Sequence, residues 1–148
     1  MSTNATPPKK ADDWIGYNLK VTQHRLRQRL ESELNKVGIT AAQNAVLLTV
    51  SSNPRVSNAD LARDAFVTPQ TMQAILVNLE RAGLITRSPH PDHGRVIMTE
   101  LTKAGQKAVA EGIKAADAVE RKMLSALSAD EAEQLRQLLK RCSTALDQ

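Results

Sequence analysis

The chain has 148 residues, a formal net charge of +4, a single cysteine and three aromatic residues in all, so aliphatic and Ala-rich helices must supply any core. One cysteine excludes an internal disulfide and a cysteine-based metal centre, and no apolar run approaches the ~20 residues of a membrane span. The charge divides as +3 over residues 1–53, +2 over 54–107 and −1 over 108–148, a balance that permits nucleic-acid binding without requiring it.

Residues 1–11 are polar and Pro-rich and read as a disordered tail without the apolar segment of a secretory signal, which points to a cytoplasmic protein. Asp12 or Asp13 is expected to cap a long helix reaching about Lys36, with Ile15, Leu19, Leu26, Leu30 and Leu34 at helical spacing and Gly38 ending it. Thr40 and Gln43 form a capping box for a helix carrying Val46, Leu47 and Val50, which stops before Pro54. Ser57 to Asp60 opens a short helix. Thr68 and Pro69 then cap another that buries Met72, Ile75, Leu76 and Leu79 and stops at Gly83.

Two short strands, Leu84 to Ser88 and Val96 to Glu100, flank a tip of Pro, His, Asp and Gly. A helix from about Lys103 to Leu127 follows, with Val109, Ile113, Ala116, Val119, Met123 and Leu127 along one stripe. Ser128 and Glu131 form the capping box of a last helix bearing Leu135, Leu138, Leu139, Cys142 and Leu146. In that register Cys142 reads as a small buried hydrophobe, with an intermolecular disulfide as the other reading.

The expected fold is mainly α with a small β-hairpin wing: a winged helix-turn-helix lobe at 40–101 within one domain over 12–148. Helices 12–36 and 103–146 carry apolar stripes wider than a small core needs. They are expected to pair with a second copy as an isologous homodimer, the alternative being a monomeric helical domain.

The order of elements places helix 68–82 as a recognition helix for double-stranded DNA. Its polar face shows Gln70, Thr71, Gln73, Ala74, Asn78 and Arg81. Gln suits adenine, and Thr and Ala methyls suit the thymine methyl. Ser57, Asn58, Thr68, Pro69 and Arg87 are candidates for backbone contacts at and around helix N-termini. At the hairpin tip, Arg95 suits a narrow minor groove, and His90 and His93 suit phosphates. His90, Asp92 and His93 are close in sequence but lack a rigid surround, so no metal is expected. Neither is a cofactor, since no nucleophile-base pair, phosphate loop or carboxylate pair appears. A different reading is a winged-helix docking module without specific DNA binding.

Leu61 with Ala62, the run Leu79-Glu-Arg-Ala-Gly-Leu-Ile-Thr-Arg87, the wing ending at Arg95 and Leu101-Thr-Lys-Ala-Gly105 together resemble the MarR family of transcriptional regulators over about residues 12 to 146. The resemblance implies a homodimer with interleaved terminal helices, and the expected activity is that of a repressor of a palindromic operator. It also implies a small effector, often an aromatic or phenolic acid, held between dimer helices and the DNA-binding lobe. Trp14, Tyr17, His24 and Arg25 are candidates to line that pocket, packing and surface roles being the other reading. The family's wing commonly has Asp two residues before its Arg. Here His93 stands there and Asp92 one residue earlier. The cysteine of peroxide-sensing members, near the start of the first long helix, has no counterpart, so that kind of sensing is not expected.

Overall fold

The computed structural model describes residues 9–147, so most of the N-terminal tail expected to be disordered lies outside the described residues. A single 3-10 turn, Ala11–Asp13, precedes α1 (Ile15–Asn35), α2 (Ala41–Ser52), α3 (Asn58–Asp64), α4 (Pro69–Arg81), β1 (Ile85–Pro89), β2 (Ile97–Leu101), α5 (Lys103–Leu124) and α6 (Ala129–Leu146). The strands pair antiparallel with Ile85 opposite Leu101 and Pro89 opposite Ile97.

The core sits where α2, α3, α4, β1 and α5 meet. Val46, Leu47, Val50, Leu61, Met72, Leu76, Leu79, Ile85 and Val109 are buried together there. On α4 the buried positions Met72, Leu76 and Leu79 recur at helical spacing, with Ile75 half-buried beside them. That single stripe anchors the helix and leaves its other faces to solvent.

Capping explains most of the helix boundaries. Thr40 and Gln43 form the expected reciprocal box, Ser128 and Glu131 form another, and Ser57, Thr68 and Thr102 each accept a backbone N–H one turn on. The start of α1 differs from expectation. Its N-cap is Trp14, which makes no capping hydrogen bond, because the Asp13 carboxylate turns back to accept the Lys10 N–H at 2.8 Å. The Asn18 amide instead donates to the carbonyls of Asp12 and Trp14 at 2.7 and 3.1 Å.

Both strands begin one residue later than expected. The Leu84 N–H donates to the Leu79 carbonyl to close α4, and the Val96 N–H donates to the His93 carbonyl inside the hairpin tip. Helix α5 ends at Leu124, three residues early, where the Ser125 hydroxyl donates to the Lys122 carbonyl.

Several expected core positions are exposed in the single chain. Cys142 is exposed, as are Leu138 (52%) and Ile113 (47%), with Ile15, Leu19, Met123 and Leu127. For the residues of α6 the reason is geometric: among the described residues it makes no extensive contact with any other element, so its apolar face stays open. Among the described residues no helix is long and apolar enough to cross a membrane.

Candidate nucleic-acid interface

Helix α4 is fixed by its apolar stripe and by its first residue. The Thr68 hydroxyl accepts the Thr71 N–H at 3.1 Å and donates to the Thr71 hydroxyl oxygen at 3.0 Å. That arrangement leaves the Thr71 hydroxyl proton free for an outside acceptor. Gln70, Thr71, Gln73 and Asn78 are all exposed, as are Thr68 and Pro69. Asn78 accepts from Arg81 at 3.4 Å, which leaves its amide N–H groups as donors.

Ser57 is a capping residue first. Its hydroxyl accepts the Asp60 N–H at 3.0 Å and donates to the Asp60 carboxylate at 2.7 Å. That hydrogen bond from Ser57, then one from the Arg63 guanidinium, holds the Asp60 carboxyl below the usual carboxylate range. The neighbouring Asn58 has its side-chain oxygen buried without a hydrogen-bond partner.

Arg87 projects from β1, opposite Thr99. Its Nε is buried and has no acceptor.

The hairpin tip is a pair of tight turns: the His90 N–H donates to the Val96 carbonyl at 2.7 Å and the Val96 N–H to the His93 carbonyl at 2.8 Å. The Asp92 N–H donates to His90 Nδ1 at 3.0 Å, so Nδ1 acts there as an acceptor and the ring's N–H is on Nε2. His93 and Arg95 are exposed. Among the described residues no carboxylate, Asp92 included, is ion-paired with Arg95, and no group of three or more His, Cys, Asp or Glu residues is arranged to hold a metal ion.

The four candidate effector residues are not gathered in one cavity of the single chain. His24 lines a cleft of about 890 Å³ between α1 and the start of α2, with Arg27, Gln28, Glu31, Ser32, Asn35, Thr40 and Ala42. Arg25 lines a smaller one of about 220 Å³ between α1 and α5, with Arg29 and Lys122 around Leu26, Val119 and Met123. Trp14 and Tyr17 line neither. The Lys9 ammonium sits 4.7 Å from the Trp14 ring centre.

Sequence reading passed over Phe66, in the turn between α3 and α4. It is the chain's one phenylalanine, and it is 96% exposed. The available signal was a large apolar residue at a position where a turn residue is expected.

Comparison with known proteins agrees with this geometry. The profile of the MarR family matches residues 37–96. The HTH-type transcriptional repressor Rv2887 of Mycobacterium tuberculosis is 33% identical over 135 residues, which cover 88% of this chain and 95% of that protein. The crystal structure of the M. tuberculosis protein with salicylic acid superposes with a TM-score of 0.76 at 30% identity, covering 90% of this chain and 99% of the other. The same protein in complex with DNA gives a TM-score of 0.73 at 28% identity, covering 87% and 97%. The chain belongs to the MarR family of winged helix-turn-helix transcriptional regulators.

Proposed function

We propose that this chain is a homodimeric, sequence-specific DNA-binding repressor whose operator is palindromic and whose binding is relieved by a small aromatic acid. The observation that carries the reading is α4: one stripe is buried in the core while Gln70, Thr71, Gln73 and Asn78 are exposed from its first turn onward. Gln70 and Thr71 meet base edges. Thr68, Pro69 and Arg87 hold the sugar-phosphate backbone beside them, with the N-terminal end of α3 at Ser57 and Asn58. Arg95 and His93 extend this hold through the wing.

Residues 40–101 act as the DNA-binding lobe, and helices 12–36 and 103–146 join two copies. Two recognition helices then read half-sites about 34 Å apart, one turn of B-DNA. The relative that crystallised with DNA and with salicylic acid supports both partners. The effector acts by favouring a dimer in which that spacing is lost. Its binding residues are drawn from Trp14, Tyr17, His24 and Arg25, the last two of which face different clefts in the single chain. A regulator of this kind performs no catalysis and works where the chromosome is, in the cytoplasm.

Fluorescence anisotropy on DNA from upstream of its own gene tests this reading, with a random duplex alongside at two salt concentrations. Tight, salt-sensitive binding that prefers the upstream DNA and is released by millimolar salicylate supports it. Equal and weak binding to both duplexes, across other candidate operators, contradicts it and favours a docking module.

A further inference from the structure

Three helices of this chain end in the same hydrogen-bond pattern. After α1, the Gly38 N–H donates to Asn35 and the Ile39 N–H to Leu34; after α4, Gly83 donates to Glu80 and Leu84 to Leu79. After α3, Phe66 donates to Arg63 at 3.1 Å and Val67 to Ala62 at 3.0 Å. The pivotal residue takes a left-handed conformation each time, with φ of 82° at Gly38, 72° at Gly83 and 55° at Phe66. Glycine adopts this geometry freely, whereas a bulky side chain is disfavoured in it.

Phe66 therefore serves the fold poorly in two independent ways. Its backbone is in a region that suits glycine, and its ring is 96% exposed, so burial returns nothing. The same residue stands two positions before Thr68, the cap of α4. In the chain only the half-buried Val67 separates it from the exposed Thr68, Pro69 and Gln70.

We infer that Phe66 is a further DNA-contacting residue, its ring lying against deoxyribose and a thymine methyl at the lip of the major groove. This rests on the regulator reading given above. A protein anchor sits at the centre of a packed apolar surround, but the apolar neighbours Ala65 and Val67 are turned into this chain's own core, and the exposed residues nearest in the chain are Arg63, Asp64 and Thr68. DNA offers isolated apolar elements of matching size in its sugars and thymine methyls.

The test pairs Phe66→Gly and Phe66→Tyr with the wild type, measuring melting temperature and anisotropy on the operator across a salt series. Phe66→Gly is expected to melt no lower than the wild type, because the left-handed turn is relieved. Its operator affinity is expected to fall about tenfold, the scale of losing a buried aromatic contact, and Phe66→Tyr is expected to retain it. The salt dependence should be unchanged, because no phosphate contact is removed. Unchanged affinity in Phe66→Gly overturns the inference and leaves the ring for a protein partner. A loss accompanied by a shallower salt slope also overturns it, since the effect then comes through displaced phosphate contacts. If the wild type shows no preference for any operator, the regulator reading fails first and takes this inference with it.

Discussion

The Thr102 hydroxyl donates a 2.6 Å hydrogen bond to the carbonyl oxygen of Gly83, tying the exit of α4 to the start of α5. The Thr102 hydroxyl oxygen also accepts the Gly105 N–H at 3.0 Å, and the Thr102 N–H donates to the Leu84 carbonyl at 3.1 Å. Gly105 completes the joint. A Cβ there would stand 2.0 Å from the Leu84 carbonyl oxygen, so only glycine permits the approach. The Leu-Thr-Lys-Ala-Gly run is thus the fastening between the proposed recognition helix and α5, the helix proposed to join two copies.

Gly105→Ala is expected to destabilise the fold by about 1–3 kcal/mol, because the obstacle is backbone. Thr102→Val removes both the cap and the bond to Gly83 and is expected to cost about 1–2 kcal/mol. Urea unfolding checks both. A Gly105→Ala protein as stable as the wild type contradicts the close approach.

Asn44 and Gly112 make a second tight pair. The Asn44 side chain is 3% exposed and its Oδ1 has no hydrogen-bond partner. A Cβ on Gly112 would stand 1.8 Å from that oxygen. Gly112→Ala is expected to cost about 1–3 kcal/mol in the wild type and clearly less in an Asn44→Ala background. Additive losses in the double variant contradict direct contact.

The apolar face of α6 lacks a covering in the single chain. Leu138→Glu with Leu139→Glu is expected to give a folded monomer in analytical ultracentrifugation, since two charges at a dimer interface lack partners. Operator binding should weaken with it. A variant that stays dimeric removes α6 from the interface.

Asp60 titrates below the usual carboxylate range in the folded protein, chiefly through the Ser57 hydroxyl and then Arg63. Its folded pKa is depressed, so its contribution to stability is present above the unfolded pKa and is lost as pH falls through the folded one. NMR titration should find the Asp60 midpoint low in the wild type and raised in Ser57→Ala. An unchanged midpoint removes Ser57 as the cause.

Much of this organisation was legible in the chain because local chemistry and tertiary packing agree. Thr40 with Gln43, Thr68 with Pro69, and Ser128 with Glu131 announce helix starts through groups that satisfy free backbone donors. The Met72, Leu76 and Leu79 spacing gives the buried side of α4. Where reading failed, a group had a second use. The Asp13 carboxylate accepts a preceding N–H rather than capping α1, and the Leu84 N–H closes α4 rather than opening β1. Burial of Cys142 could not be read from spacing, because an apolar stripe does not say whether its cover lies in the same chain. Phe66 showed in the sequence only as a large apolar residue at a turn, because its further distinction is a backbone angle.

The most direct test compares the ratio of random-duplex to operator dissociation constants for the wild type, Gln70→Ala and Arg87→Ala at one salt concentration. Base reading by α4 requires the ratio to collapse in Gln70→Ala, with a loss of about 1–3 kcal/mol on the operator alone. It also requires Arg87→Ala to weaken both duplexes together and keep the ratio. Equal losses on both duplexes for Gln70→Ala would contradict the central claim that this helix reads sequence.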